Sequence, residues 1–508
     1  MNMNALSVLY GGGLSEAAYE PVFAGKSALS LALKQGGAFP HTRKIILLLK
    51  EENPAYKPEY TGIQVVQSPC WTKKSLLETL AGLSSGFDLI YFAWADCPFL
   101  DPALAETVAK RHLKYAADYA YADGWPYGLA PETLSPALAA TLAGIAKDDL
   151  GPVERDALFS VIQKDINAFD IETAIAPVDL RGRRLSLASD SKRNLLLLSR
   201  FAHAGVSGAA SVQALIEEKP ALLRTLPNFY AVQAAGPCPQ ACALCPYPRY
   251  APEGAAFLDP GRFDALLDTI TAFSHDGVVD LSLWGELSLH PEKERLIESV
   301  LSRPSLSLII ETSGIGWKTG ELEELARKAA GYPARENRQA PLSWIVSLDT
   351  QDPKRYRELR GPGYAQAQEA AAALARLFPQ DAYMQAVRVK GAEDDIELFY
   401  RFWKDAGAQV IIQKYDGFHG LLPDLRAADL SPIKRLPCWH LQRDMPVLLD
   451  GAVPACREDL ERAMLLGNAF SEPLEAVWER GAALYQEHCN QEYAGICAGC
   501  DEYYTYNF

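Results

Sequence analysis

Six short apolar segments alternate with amphipathic segments between residues 228 and 415, and this alternation restricts the fold more than any other feature of the sequence. The apolar segments are NFYAVQAA (228–235), VVDLSLWG (278–285), LSLIIETS (306–313), LSWIVSLD (342–349), YMQAVRVK (383–390) and QVIIQKY (409–415). Strand-like runs separated by helix-like runs are typical of parallel strands joined by crossover helices. The pattern therefore predicts an α/β fold whose central part is a six-stranded parallel sheet that forms a partial barrel.

The regions on either side of this series have a different organisation. The first 200 residues also alternate apolar and helical patterns, with strands predicted at ALSVLYG (5–11), KIILLLK (44–50) and FDLIYFAWAD (87–96). From 431 onward the elements are shorter and five of the ten cysteines follow. We therefore predict four parts: an α/β domain at 1–200, a helical linker at 201–226, the six-repeat domain at 227–430 and a small cysteine-bearing domain at 431–508.

Charge and hydropathy exclude several classes of partner. The chain has 64 acidic and 49 basic residues, a formal net charge of −15, which argues against a nucleic-acid partner. No run approaches the ~18–20 apolar residues that span a bilayer. The N-terminus, MNMNALSVLYGGG, lacks the basic and apolar regions of a signal peptide. We expect a cytoplasmic protein with no membrane span.

The strongest chemical motif is Cys238-Pro-Gln-Ala-Cys242-Ala-Leu-Cys245, which follows the first strand of the six-repeat series. Clustered cysteines in a reducing compartment more often bind metal than form disulfides. Three thiolates at this spacing can hold three irons of a [4Fe–4S] cluster and leave the fourth iron without a protein ligand. A structural zinc site would require a fourth ligand, and the loop contains no histidine. Zinc and three unliganded core cysteines are the alternatives.

A CxxxCxxC loop after the first strand of a six-repeat series resembles the radical S-adenosylmethionine superfamily, and the resemblance covers about residues 228–420. It implies that the open iron chelates S-adenosyl-L-methionine. It further implies that one electron from the cluster splits the sulfonium, and that the resulting 5′-deoxyadenosyl radical abstracts hydrogen from a substrate. An electron donor such as flavodoxin or ferredoxin is implied as a partner.

Other positions match this superfamily at the strand ends. Gly285 and Glu286 correspond to the end of its glycine–glycine–glutamate run, in which Trp284 replaces the first glycine. Ser347 and Asp349 end the fourth strand, where superfamily members bind the cofactor. The resemblance therefore implies cofactor binding by Gly285, Glu286, Ser347 and Asp349. Three further candidates follow the fourth strand or lie on the fifth: Arg360, Gln385 and Arg388.

Four of the C-terminal cysteines form a second set: Cys438, Cys456, Cys497 and Cys500. Four thiolates can fully coordinate another [4Fe–4S] cluster, and a zinc site is the alternative. The set resembles a one-cluster SPASM domain, which implies an auxiliary cluster, while Cys489 is a spare thiol or an unplaced ligand. The order of the three regions and the closing CDEYYTYNF resemble the spiro-SPASM family over the whole chain.

The first domain resembles sugar-activating nucleotidyltransferases. Asp96 ends a strand and Asp190 lies further on, and the resemblance implies that both hold magnesium on a nucleoside triphosphate. The glycine loop at 11–13 has no basic residue before Lys26, and Glu16 would repel phosphate. We therefore predict a degenerate nucleotidyltransferase-like domain.

The leading hypothesis is a radical S-adenosylmethionine enzyme that modifies a peptide or protein, or a cell-envelope glycan precursor. One alternative is a sugar nucleotidyltransferase whose cysteine clusters are regulatory or structural. Another is a non-catalytic scaffold with structural zinc. The sequence identifies no further catalytic residue.

Overall fold

A computed structural model describes residues 3–51, 62–252, 254–333, 335, 339–428, 431 and 434–503. The chain divides into two compact units, Met1–Leu223 and Arg224–Phe508. The end of the aromatic tail, 504–508, lies outside the described residues. None of the helices in the described part of the chain has the length and apolarity needed to cross a bilayer.

The N-terminal unit contains a seven-stranded mixed sheet in the order β3-β2-β1-β4-β6-β5-β7. Its strands are β1 (Ala5–Gly11), β2 (Thr42–Lys50), β3 (Ile63–Ser68), β4 (Leu89–Trp94), β5 (Tyr119–Asp123), β6 (Glu132–Leu134) and β7 (Ile171–Ile175). The short strand β6 is antiparallel to β4 and β5, and the other pairs are parallel. Every residue of β1 and β4 is buried, as expected of central strands covered on both faces.

Seven α-helices accompany this sheet in the described part of the N-terminal unit. They are α1 (Ala28–Gly37), α2 (Lys73–Leu83), α3 (Pro102–Lys114), α4 (Pro136–Ile145), α5 (Ala157–Ile162), α6 (Lys192–His203) and α7 (Ala209–Glu218). The segment predicted as a linker, 201–226, contains the end of α6, the whole of α7 and a 3-10 turn at 220–223. Its apolar residues Phe201, Val212 and Ile216 are buried in the core of the N-terminal unit, so these helices form part of that unit.

The second unit contains a six-stranded sheet in the order β13-β12-β11-β10-β9-β8, and every pair is parallel. Its strands are β8 (Phe229–Ala231), β9 (Gly277–Asp280), β10 (Leu306–Thr312), β11 (Leu342–Ser347), β12 (Ala382–Arg388) and β13 (Gln409–Lys414). The predicted α/β fold with six parallel strands in sequence order is confirmed. Strand β9 ends five residues before the predicted end because the carboxylate of Asp280 accepts the backbone N–H of Ser282 at 3.0 Å and turns the chain.

Helices cross over between these strands: α8 (Pro260–Ser274), α9 (Lys293–Leu301), α10 (Thr319–Ala330), α11 (Pro353–Leu359), α12 (Tyr364–Leu377) and α13 (Glu393–Asp405). Helix α8 begins at a proline behind Asp259, whose side chain accepts the N–H of Arg262. The apolar faces of these helices and of the strands form one continuous core. The strand ends are thereby held at one edge, where side chains can converge.

The C-terminal region of the second unit is built from short elements. They are α14 (Trp439–Arg443), β14 (Ala452–Pro454), β15 (Leu465–Asn468), α15 (Leu474–Arg480) and α16 (Ala482–Cys489). Strands β14 and β15 pair antiparallel. Arg224 lies 3.5 Å from the ring centroid of Trp478 and donates a hydrogen bond to its carbonyl oxygen at 2.7 Å, so the start of the unit is fixed to α15.

Candidate metal centre

The three cysteines of the CxxxCxxC loop line a cavity of about 250 Å³ at the carboxyl ends of the parallel strands. Of the residues expected to bind the cofactor, Gly285, Glu286 and Ser347 line the same cavity. Other lining residues include Asp280, Trp284, Glu311, Arg360, Gln385, Lys414, Asp416 and Arg457. The structure therefore brings together residues that lie more than two hundred positions apart in the chain.

The cysteine loop is held by the backbone and by the end of α11. The N–H of Cys245 donates to the carbonyl oxygen of Cys242 at 3.2 Å, which closes a turn between the last two cysteines. The N–H of Ala243 donates to the carbonyl oxygen of Leu359 at 2.8 Å. The Nε2 of Gln240 donates to the hydroxyl of Tyr356 at 2.9 Å. The loop is therefore held in one conformation by a hydrogen bond within it and by hydrogen bonds to α11.

The chemistry of these thiols fits an iron–sulfur cluster. Burial raises the pKa of Cys238 to about 11 and of Cys245 to about 12. The neighbouring charge of Arg360 opposes both shifts, and a bound metal would favour the thiolates further. The described residues that line the cavity include these three cysteines but neither a fourth cysteine nor a histidine. This donor set suits a cluster with one iron left open.

Gly285 brings the end of the second repeat against the cysteine loop. Its φ of +80° favours glycine, and an added Cβ would overlap the carbonyl oxygen of Ala235 and lie 2.8 Å from its carbonyl carbon. The next residue, Glu286, donates its N–H to the carbonyl oxygen of Pro237 at 3.0 Å. A side chain at position 285 would therefore push this segment away from the residues that precede Cys238.

The carboxylate of Glu286 is buried and oriented by four hydrogen bonds, the longest of which comes from the N–H of Ser288 at 3.5 Å. One oxygen accepts the hydroxyl of Thr312 at 2.6 Å, and the other accepts the N–H and hydroxyl of Ser313 at 2.8 and 2.7 Å. Burial raises the pKa of Glu286, and these hydrogen bonds oppose the shift because they favour the charged form. Since Glu286 also lines the cavity, the structure holds a fixed acidic group beside the cysteine loop.

Ser347 belongs to a hydrogen-bonded group on three adjacent strands. Its hydroxyl donates to Oε1 of Glu311 at 2.8 Å, and Nε2 of Gln385 donates to the same oxygen at 2.8 Å. Of the two candidates on β12, Gln385 lines the cavity, whereas Arg388 is exposed. Strand alternation places them on opposite faces of β12, because three positions separate them within the strand, but the sequence alone does not show which face meets the cavity.

Asp349 is placed differently from the other three residues expected to bind the cofactor. It is buried and does not line the cavity. One carboxylate oxygen accepts the Nε–H of Arg360 at 2.6 Å, and the other accepts the N–H of Val387 at 2.8 Å. Both oxygens already accept a hydrogen bond and Arg360 is the residue that lines the cavity, so the cofactor contact expected of Asp349 stays a prediction.

Several residues of the cavity wall were not identified from the sequence. Burial raises the pKa of Asp280 and of Asp416 to about 7. Lys414 and Arg457 supply positive charge on the same wall. The sequence did not indicate Asp280 as a residue of the cavity wall, because its strand was expected to continue past it. Arg457 is adjacent to Cys456, so the C-terminal region also contributes to the cavity.

The four cysteines of the C-terminal set lie near one another in the folded chain. Burial raises the pKa of Cys438 to about 12 and also raises the pKa values of the other three. Charge on Cys438 and on Cys500 raises the pKa of Cys456 further, as expected of neighbouring thiols. Cys489 packs against the same apolar group as Cys438 and lies close to Tyr493. Cys438 and Cys497 are buried and Cys456 and Cys500 are half-buried, and four neighbouring thiols of this kind suit a fully coordinated metal cluster.

The sequence features noted in the N-terminal unit also meet. Ser15, which follows the glycine loop, donates its hydroxyl to the carbonyl oxygen of Ser189 at 2.8 Å. The N–H of Ser189 donates to the carbonyl oxygen of Asp96 at 2.9 Å. Asp96 and Asp190 are both paired with Arg155, so the magnesium ion implied by the resemblance does not fit between them.

Comparison with known proteins adds sequence relatives and similar structures. Residues 438–501 match the SPASM iron–sulfur cluster-binding domain. An uncharacterized protein of Treponema pallidum (strain Nichols) is 38% identical over 363 residues, which cover 69% of this chain and 98% of the relative. A second uncharacterized protein of that organism is 33% identical over 61 residues, 12% of this chain and 28% of the relative.

Three solved structures are similar to parts of the chain. The crystal structure of Streptococcus suis SuiB is 16% identical, covers 73% of this chain and 87% of its own, and has a TM-score of 0.43. BtrN in complex with AdoMet and 2-DOIA is 16% identical, with coverages of 55% and 94% and a TM-score of 0.37. A cytidylyltransferase from Leptospira borgpetersenii is 15% identical, with coverages of 44% and 96% and a TM-score of 0.37.

The parallel sheet, the three-cysteine cavity and the SPASM match together define a radical S-adenosylmethionine enzyme with an additional iron–sulfur domain. Enzymes of this class use a [4Fe–4S] cluster and S-adenosyl-L-methionine, and the SPASM match adds an iron–sulfur cluster-binding domain at 438–501. Within that class, the chain belongs to the spiro-SPASM family, as its sequence indicated.

Proposed function

We propose that Cys238, Cys242 and Cys245 hold the catalytic [4Fe–4S] cluster and that S-adenosyl-L-methionine occupies the cavity beside it. The observation that carries this proposal is that three loop thiols and the carboxylate of Glu286 line one cavity. When bound, the cluster and the cofactor supply a 5′-deoxyadenosyl radical for hydrogen abstraction from a substrate.

The side chains around the cavity bind and orient the cofactor. Glu286 is a fixed acceptor that suits the ammonium group of the cofactor, because charge-assisted hydrogen bonds are the stronger kind. Gly285 allows the backbone to approach, and Ser347 presents a hydroxyl group held by Glu311. Trp284 stacks on Tyr247, with ring centroids 5.4 Å apart, and this aromatic wall limits access of water. Asp349 acts through Arg360.

We also propose that Cys438, Cys456, Cys497 and Cys500 hold the auxiliary cluster. Four thiolates leave no open iron, so this cluster would transfer electrons or stabilise the domain and would not bind the cofactor. Arg457 supports a connection between the two centres, because it follows Cys456 and lines the cavity. Zinc is the less favoured metal here because the SPASM match is to an iron–sulfur domain.

The proposed substrate is a peptide or protein, or a cell-envelope precursor, and the proposed electron donor is a flavodoxin or ferredoxin. No disulfide bond joins any of the ten cysteines, all of which lie in the described part of the chain, and this supports a reducing compartment and hence a cytoplasmic location. Among the solved structures similar to this chain, SuiB has been crystallised with its precursor peptide SuiA. The nucleotidyltransferase alternative is not favoured, because Arg155 neutralises the two aspartates that would hold magnesium.

The test is anaerobic reconstitution with iron and sulfide, followed by addition of dithionite and S-adenosyl-L-methionine and assay of 5′-deoxyadenosine. The wild-type protein should form 5′-deoxyadenosine, and alanine at Cys238, Cys242 or Cys245 should abolish it. Cys70→Ala is the matched control, because Cys70 is an exposed thiol of the N-terminal unit. Continued 5′-deoxyadenosine formation by a loop variant, or zinc without iron in the reconstituted protein, would contradict the proposal.

A further inference from the structure

The N-terminal unit contains two carboxylates that share a single cation from the same chain. Arg155 donates to both oxygens of Asp96, at 2.8 and 2.5 Å, and to Oδ2 of Asp190 at 2.9 Å. Asp96 follows β4, and Arg155 lies in the turn before α5, so the three charges come from separate parts of the chain. A guanidinium bridging two carboxylates balances charges that would otherwise repel.

Arg155 is fixed on its remaining sides as well. Its guanidinium carbon lies 4.1 Å from the ring centroid of Trp94 and 5.3 Å from that of Tyr127. Burial opposes the charge on this side chain, but the attraction of Asp96 outweighs it and raises the pKa of Arg155 above its ordinary value. Two aromatic rings and two carboxylates therefore hold the guanidinium of Arg155 in one orientation, whereas an arginine on the surface is mobile.

Neighbouring side chains also keep the aspartates in place. The hydroxyl of Ser189 donates to the carbonyl oxygen of Asp96 at 3.2 Å, and Nδ2 of Asn194 donates to Oδ1 of Asp190 at 2.8 Å. Facing carboxylates held in this way are suited to a divalent cation such as Mg²⁺ or Mn²⁺. The guanidinium lies where such a cation would bridge them.

We propose that Arg155 is a built-in replacement for a divalent cation between Asp96 and Asp190, which makes the N-terminal unit independent of metal at this site. The two carboxylates are joined by a guanidinium that cannot exchange with solvent ions. The unit consequently has no magnesium at these aspartates to activate a nucleoside triphosphate. This inference rests on the N-terminal unit alone and does not depend on the proposed radical chemistry.

The experiment is a Mn²⁺ titration of the full-length reconstituted protein, with free Mn²⁺ followed by electron paramagnetic resonance. Wild type and Asp190→Asn should give the same binding curve, because no ion uses Asp190 in the native protein. Arg155→Met should gain about one Mn²⁺ per chain, and Arg155→Met/Asp190→Asn should lose that gain. Arg181→Met is the matched control, since Arg181 also bridges two carboxylates, Asp123 and Asp179, but on the exposed surface.

Two results would overturn the proposal. The first is a Mn²⁺ site in the wild-type protein that Asp190→Asn removes, since this would show that an ion displaces Arg155. The second is a folded Arg155→Met protein with no additional Mn²⁺ site, since the aspartates would then not be arranged for a cation. If Arg155→Met does not fold, the comparison of wild type with Asp190→Asn decides, because Asp190 is partly exposed and its substitution leaves Arg155 paired with Asp96.

Discussion

The Nε of Arg360 donates a 2.6 Å hydrogen bond to Oδ2 of Asp349, and both side chains are largely excluded from solvent. Asp349 is anchored in turn by the N–H of Val387 at 2.8 Å. Arg360 lines the cavity and lies near the three loop cysteines, so the ion pair fixes a positive charge beside the proposed cluster. We propose on this basis that Asp349 is a positioning residue.

Substitution of Asp349 by asparagine tests this role. Loss of one partner of a buried ion pair typically costs about 3–5 kcal/mol, because the other charge is left uncompensated. We expect Asp349→Asn to keep the iron content of the wild type, to bind S-adenosyl-L-methionine more weakly and to form 5′-deoxyadenosine more slowly. Iron analysis, equilibrium dialysis of the cofactor and the 5′-deoxyadenosine assay give the three readouts.

Asp424→Asn is the control for this variant. Asp424 pairs with Arg426 at 2.9 Å on the surface, and exposed ion pairs contribute little to stability. The control should behave as wild type in all three measurements. Unchanged cofactor binding by Asp349→Asn would remove the basis for the positioning role of Asp349.

A second prediction concerns Gly285. Alanine at this position would overlap the carbonyl oxygen of Ala235 at a φ of +80°, so we expect loss of cofactor binding together with lower stability. Gly254→Ala is a matched control, because Gly254 has a φ of +81° and an added Cβ would meet no atom within 4 Å. The control carries the backbone strain of about 1 kcal/mol without the clash. Equal melting temperatures and cofactor affinities for the two variants would contradict the argument.

The iron content distinguishes the two cysteine sets. The wild-type protein should carry about eight irons per chain, from two four-iron clusters. Cys456→Ser should retain about four, because the three loop cysteines still hold the catalytic cluster. Cys489→Ala is the control and should keep the full content, since Cys489 lies outside both sets. Loss of iron from Cys489→Ala would instead make that cysteine a ligand.

Residues of the metal centre were predictable where the signal was local in sequence. The spacing of Cys238, Cys242 and Cys245, and the position of Gly285 and Glu286 at a strand end, place chemistry within a few residues of a recognisable element. The six parallel strands followed from hydrophobic periodicity in the same way.

Contacts between distant residues were not predictable. The sequence predicts Asp349 as a cofactor ligand but does not reveal its pairing with Arg360. That pairing depends on how α11 returns to the sheet. Arg155 lies 59 positions from Asp96, and no local pattern marks it as the partner. Helices α6 and α7 resemble a linker in sequence, and only their packing against residues such as Leu129 and Leu187 assigns them to the N-terminal unit.

The last prediction is a pH dependence in the N-terminal unit. Burial raises the pKa of Glu132 from 4.5 to about 7, and the hydrogen bond from the hydroxyl of Tyr119 only partly opposes the shift. Between these two values the unfolded chain has released this proton while the folded chain retains it. The contribution of Glu132 to stability is therefore complete below pH 4.5 and is lost as the pH rises to about 7.

Glutamine at position 132 does not titrate, so the stability of Glu132→Gln relative to wild type should increase across this interval. The increase should be on the order of 3 kcal/mol at most, and it should level off above pH 7. Denaturant unfolding of both proteins at several pH values measures this difference in the free energy of unfolding. The value is taken from the unfolding transition whose midpoint differs between the two proteins. Glu154→Gln, at an exposed glutamate of the same unit, controls for simple removal of a negative charge. A difference between wild type and Glu132→Gln that stays constant over the interval would show that Glu132 is ionised in the folded protein, because only a proton held by the folded chain makes the difference depend on pH.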